Sequence, residues 1–154
     1  MAHLVQVAQP VLRHFGAKRA FHGPITTLSC FEDNALLKAT LQTPGLGRVM
    51  VVDGGGSLRH ALFGDKRAAF AIEYGWAGLV IHGAVRDVET LATLPVAVRA
   101  LGVIPLRPAR TGASHNRDGP CRLGAAVARR SGRSACSARP CPDVPDPAKT
   151  RSPA

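Results

Sequence analysis

The chain has 154 residues, enough for one domain with its own core and too few for two ordinary ones. A formal charge of +10 raises the question of a nucleic-acid partner, but aromatics make up only 5% of the chain, which leaves no stacking platform for single strands. The excess is also uneven: residues 1–112 hold twelve Lys/Arg against seven Asp/Glu and the last 42 hold eight against three, so nucleic acid is not the expected partner.

Residues 1–112 read as one folded domain. Apolar residues Leu4, Val5, Val7, Ala8, Val11 and Leu12 suit a helix over 4–15, started or kinked at Pro10. Residues 25–30 are a short β-prone segment. Residues 34–41 read as a helix with Ala35, Leu36, Leu37 and Leu41 on one side. Residues 48–52 form a buried strand that runs into Asp53-Gly54-Gly55-Gly56. A second helix spans 65–74, with Asp65 as N-cap and Gly75 as its stop. Residues 78–82 are another buried strand, followed by Gly83-Ala84-Val85-Arg86-Asp87. A short helix over 88–94 and a strand over 96–104 complete the series. Strands alternating with helices predict an α/β domain with a parallel or mixed sheet under helical cover.

The character changes at residue 113. Of the 42 residues from there on, 32 are Ala, Arg, Pro, Ser, Gly or Cys, and none is aromatic. Such a segment buries too little apolar surface to offset its ordering entropy, so residues 113–154 are expected to be a disordered tail. A basic interaction arm and out-of-frame translation of a GC-rich gene fit the same composition. Cys121, Cys136 and Cys141 lie there without a CxxC spacing, and Cys30 alone falls in the domain as a small buried side chain. No apolar run approaches the roughly 20 residues of a membrane span. The start lacks the basic region and apolar stretch of a signal peptide. A soluble cytoplasmic protein with no membrane partner is the expectation.

Three constellations could carry chemistry. Asp53-Gly54-Gly55-Gly56-Ser57 ends a strand, where a ligand can approach bare backbone; a tight turn explains it equally well. It completes neither GxGxxG nor a phosphate-binding loop, since Gly54 and Gly56 are not followed by the last glycine and no Gly-Lys-Ser/Thr follows. Gly64-Asp65-Lys66-Arg67 opens a helix, whose unpaired N–H groups suit a carboxylate or phosphate; Asp65 is also simply a good cap. His82 to Asp87 ends the second strand. Arg86 offers a forked cation for a carboxylate, and Asp87 a hard oxygen for Mg2+ or a similar ion. An Arg-Asp pair is also a common surface pair of small energetic value. His82 reads as a core-edge histidine.

Together these pieces resemble the RraA-like family, which includes the regulator of ribonuclease activity A and the class II 4-hydroxy-4-methyl-2-oxoglutarate aldolases, also oxaloacetate decarboxylases. The matching segments are Phe15-Gly16, Cys30-Phe31-Glu32-Asp33-Asn34, Val51 through Leu58, Ala61-Leu62-Phe63-Gly64-Asp65, Gly75-Trp76-Ala77-Gly78 and His82 through Asp87. The resemblance implies a three-layer β/β/α fold of the swivelling-domain type, assembled as a homotrimeric ring. It implies that backbone amides of Gly64, Asp65, Lys66 and Arg67 hold a small 2-oxo acid. Arg86 would bind its carboxylate or oxo group, Asp87 would ligate a divalent metal (Mg2+ or Mn2+), and Asp65 would lie near metal-bound water. Arg86 and Asp65 are then the catalytic residues. The regulators of the family bind an endoribonuclease and differ at the position of Asp87, where a non-ligating residue stands; Asp87 therefore favours the lyase. A menaquinone-pathway methyltransferase is a third label for the family, hinted at here only by the Gly54–Gly56 turn. Two departures stand out. Lys66 and Arg67 replace the family's usual apolar residues, and its closing β-rich segment is not recognisable after Gly112.

Overall fold

The computed structural model describes residues 10–108. The start of the helix expected over 4–15 and the whole tail lie outside them. In chain order the elements are β1 (Arg13–Phe15), β2 (Ile25–Ser29), α1 (Ala35–Leu41), β3 (Val49–Asp53), β4 (Ala61–Phe63), α2 (Asp65–Glu73), β5 (Gly78–Val85), α3 (Val88–Thr93) and β6 (Val98–Val103). The strands make one mixed sheet in the order β1-β6-β5-β3-β2, and β4 pairs with β5 beside that path. All pairings are parallel except β1 with β6.

Register sorts the side chains into two faces. Leu28, Val52, Ile81 and Ala100 are aligned across β2, β3, β5 and β6, as are Met50, Leu79 and Val98 across the inner three. These rows share one cluster with Leu37 and Leu41 of α1, Ala68 and Ala71 of α2, and Leu91 of α3. One face of the sheet therefore carries the helices, as the amphipathic patterns require. On the other face Val49 and Val51 pack with Phe21, Ile25, Ala77 and Val80 in a smaller cluster. Parallel strands buried on both faces read as continuous apolar runs, which is why β3 is Val-Met-Val-Val before Asp53.

Helix ends are closed by both near and distant partners. Asp33 Oδ1 accepts from the Ala35 N–H at 2.8 Å at the start of α1, and Trp76 Nε1 donates to the Leu41 carbonyl at its end. Arg48 lies 5.3 Å over the Trp76 ring. Gly75 stops α2 with φ +72°, and the Trp76 and Gly75 N–H groups return to the carbonyls of Ala71 and Ile72, the Schellman closure.

The structure corrects several sequence expectations. Residues 13–15 are strand, not helix: they pair antiparallel with Val98–Ala100 of β6, and Gly16 at φ +94° breaks any continuation. Long-range pairing overrides the local apolar stripe there. Asp65 is the first residue of α2, and the cap is the extended Gly64. β5 runs on through Gly83 and Ala84 to Val85 because β4 pairs with that extension. Three-residue β4 is too short to show periodicity and was not expected.

The β2–α1 and β3–β4 loops are clasped by Glu32. Its Oε1 accepts from Ser57 Oγ at 2.8 Å and from Arg59 Nε at 2.6 Å, and His60 Nδ1 stands 3.5 Å from Oε2. The Ser57 hydrogen bond first, then Arg59 and His60, hold the Glu32 carboxyl below its ordinary value against the opposing effect of partial burial. A lowered folded-state pKa contributes stability that is present above the ordinary carboxylate value and is lost as pH falls through the folded one. Urea denaturation should therefore show wild type more stable than Glu32→Gln at pH 7, with the gap closing below the ordinary value; a gap that widens on acidification would refute the clasp. Ile81 is fully buried in the larger cluster. Ile81→Ala should cost about 2–5 kcal/mol in the same assay.

Candidate functional site

β4 and β5 run parallel, so the turns that leave them emerge side by side. One is Gly64, entering α2; the other is Arg86-Asp87, entering α3. The Arg86 N–H donates to the Phe63 carbonyl at 2.9 Å, locking the two turns together. The Arg86 side chain is only 14% exposed, with Nη2 at 3.1 Å from Asp87 Oδ2 and 3.9 Å from Asp65 Oδ1.

Asp87 is the unusual residue. Its backbone is left-handed, at φ 54° and ψ 40°, a region that costs about 1–2 kcal/mol for a residue with a side chain. Asp precedes α3 at the cap position, yet its side chain makes no capping bond. Oδ2 is buried and receives no hydrogen bond; the Arg86 nitrogen is close but not aligned to donate. A buried acceptor without a donor costs about 1–3 kcal/mol, more when charged. Glu32 and Leu46 are also left-handed and Asp33 Oδ2 is also buried without a hydrogen bond, but among the described residues Asp87 combines the two features.

At the start of α2, the Lys66 N–H is taken by Asp65 Oδ1 at 2.6 Å. Those of Arg67 and Ala68 go to the Gly64 carbonyl. The N–H groups of Gly64 and Asp65 have no acceptor among the described residues, as expected at a helix start. Of the sequence-predicted site residues, the structure thus brings together Gly64, Asp65, Arg86 and Asp87. Lys66 is exposed on the same turn and Arg67 half-buried.

Among the described residues no group of three or more His, Cys, Asp or Glu side chains could cage a metal ion. The donor set suits instead a hard cation that keeps most of its water and takes one carboxylate, the habit of Mg2+. Asp65 and Asp87, both within 4 Å of Arg86, are the carboxylates that such an ion would meet.

The glycine turn after β3 is different. The Gly54 and Gly56 N–H groups both donate to the His82 carbonyl, at 3.1 and 3.0 Å, and that of Gly55 to Asp53 Oδ1 at 3.0 Å. Gly55 and Gly56 adopt φ of +68° and +71°, which glycine alone tolerates freely. Its donors are spent on the turn itself, so it is a connection rather than an anion cradle. His82 Nδ1 faces Asp53 Oδ1 at 3.5 Å, with the ring a third exposed, in keeping with a core-edge histidine. The Glu32 clasp was missed at the sequence level. Glu32 and Ser57 sit in segments that carry the family resemblance and Arg59 just beyond one, but nothing local joins residues 25 or more positions apart.

A family model described as "RraA-like: Aldolase/RraA" matches residues 2–131. A curated relative from Xanthomonas campestris pv. campestris (strain B100), named "Putative 4-hydroxy-4-methyl-2-oxoglutarate aldolase", is 58% identical over 106 residues, 69% of this chain and 64% of the relative. This chain therefore spans somewhat less than two thirds of that protein's length. The structure of the RNA-processing inhibitor RraA from Thermus thermophilis is similar at TM-score 0.68 and 45% identity, covering 71% of this chain and 67% of that one. A structure described as S-adenosylmethionine:2-dimethylmenaquinone methyltransferase, from Geobacillus kaustophilus HTA426, is similar at TM-score 0.68 and 40% identity, over 74% and 71%. With most of its length matched by the family model and a helix-covered mixed sheet shared with these structures, the chain belongs to the RraA-like (Aldolase/RraA) family.

Proposed function

We propose that this chain is a divalent-metal-dependent lyase for small 2-oxo acids. It would cleave 4-hydroxy-4-methyl-2-oxoglutarate to two pyruvates and decarboxylate oxaloacetate to pyruvate. The observation that carries the reading is the buried Asp87 Oδ2, without a hydrogen bond, beside the Arg86 guanidinium. The aldolase name of the 58% identical relative supports the same reading.

Asp87 would hold the metal, with water completing its shell. When bound, such an ion supplies Lewis-acid stabilisation of negative charge on the 2-oxo oxygen. Arg86 binds the carboxylate or oxo group with its fork and sits where charge develops. The Gly64 and Asp65 N–H groups orient the substrate at the positive end of α2. In the retro-aldol direction the 4-hydroxyl gives up its proton to water near Asp65 as the C3–C4 bond breaks. The electron pair passes to C3 as the enolate of pyruvate, and a proton delivered there completes the second pyruvate. In oxaloacetate the same pair is left when CO2 departs. Asp65, half-buried at the start of α2, exchanges that proton through water.

A second reading has one observation behind it, the 45% identity to an RNA-processing inhibitor. Under it the chain would bind an endoribonuclease without turnover. The methyltransferase reading loses its one local support, because the glycine turn has spent its N–H donors. A homotrimer belongs to the proposal too, and light scattering measures it.

Pyruvate release from oxaloacetate should require Mg2+ or Mn2+ and stop with chelator. Asp87→Asn keeps a side chain suited to left-handed backbone and removes the charge; it should lower kcat/KM by roughly a hundredfold or more. Chelator-insensitive turnover equal in Asp87→Asn and wild type would sink the lyase reading. Arg86→Lys keeps the charge and loses the fork, and should fall by a similar factor, mostly in kcat; steady-state kinetics that match wild type would remove Arg86 from the reaction.

A further inference from the structure

Gly64 is extended, with φ −160° and ψ −167°, a conformation open to residues of any kind. Its identity therefore answers to space, not to backbone freedom. A Cβ built there would stand 2.6 Å from Asp87 Oδ2, 3.0 Å from Arg86 Cγ and 3.1 Å from Arg86 Nε. The three nearest atoms all belong to the two charged residues of the proposed site.

The backbones on both sides of this contact are held, so only the side chains can give way. The Gly64 carbonyl caps α2, accepting from Arg67 and Ala68 at 3.1 and 3.0 Å. The Asp87 carbonyl accepts from Leu91 at 2.9 Å to start α3. Arg86 is tied to β4 through Phe63. With both backbones held, the Asp87 carboxylate occupies the volume that a side chain at position 64 would take.

We infer that Gly64 is a positioning residue: the absence of its side chain sets where the Asp87 carboxylate and the Arg86 guanidinium stand. A larger residue at 64 turns the carboxylate away from the position in which its orphaned oxygen faces a cation. The catalytic consequence rests on the lyase reading above, whereas the steric dependence does not.

The test is a double-variant cycle on the full chain, with Gly64→Ala, Asp87→Gly and both together. Asp87→Gly removes the carboxylate and keeps a residue at ease in left-handed backbone. Thermal melting without any ligand should show Gly64→Ala lowering Tm by a few degrees in the parent chain. In the Asp87→Gly background the same change should leave Tm unaltered or raise it, since alanine narrows the unfolded ensemble once the clash is gone. Should Gly64→Ala alone not fold, recovery of a melting transition in the double variant is the same result. Equal losses in both backgrounds overturn the inference. Binding of Mn2+ alone, followed by electron paramagnetic resonance, should weaken at least tenfold in Gly64→Ala, and affinity equal to the parent's overturns the positioning role. A parent that binds no Mn2+ but shows the non-additive melting cycle upholds the steric dependence and removes the metal-dependent reading.

Discussion

β5 is held on both edges. β6 lines one edge from Leu79 to Val85, while the other is shared, with β3 along Gly78–His82 and β4 along Ala84–Val85. Between β3 and β4 the chain leaves the sheet at the glycine turn and returns at Ala61 after seven residues. A register shift in β5 between Ile81 and Ala84 accompanies the handover, as bulges do where a strand must bend. Everything at the proposed site follows from that second pairing. It puts the ends of β4 and β5 together, and with them the starts of α2 and α3.

The two glycine segments of the chain then have opposite jobs. Gly54 to Gly56 turn the backbone and consume their own N–H groups on His82 and Asp53. Gly64 joins β4 to α2 in an extended conformation open to any residue, yet it leaves room for a carboxylate. In the first case glycine is chosen for its dihedral freedom. In the second it is chosen for the atom it lacks. The more conspicuous run of three glycines is the one without free donors.

Charge is arranged with the same economy. Asp87 forgoes the cap that its position before α3 offers and keeps one oxygen buried without a donor. Arg86 nearby offsets the cost of that charge without satisfying it. Asp33, by comparison, spends its Oδ1 on the start of α1, and Glu32 spends its carboxylate on binding two loops. Asp33 Oδ2 is also buried without a hydrogen bond, so what sets Asp87 apart is the Arg86 guanidinium beside it.

The sequence by itself determined the alternation of strands and helices, the apolar rows of β3 and β5, the stop at Gly75 and the pairing of Arg86 with Asp87 as neighbours. These rest on local periodicity, on turn chemistry and on residues adjacent in the chain. The ordered motifs also carried the family. Only the tertiary structure decided that residues 13–15 form a strand, that β5 extends through Gly83, that β4 exists, and that Gly64 lies against Asp87. Each of those depends on a partner far along the chain: β6 for β1, β4 for the end of β5. A three-residue strand or a missing Cβ acquires meaning only when its distant neighbour is in place, because pairing and steric exclusion act through space rather than along the sequence.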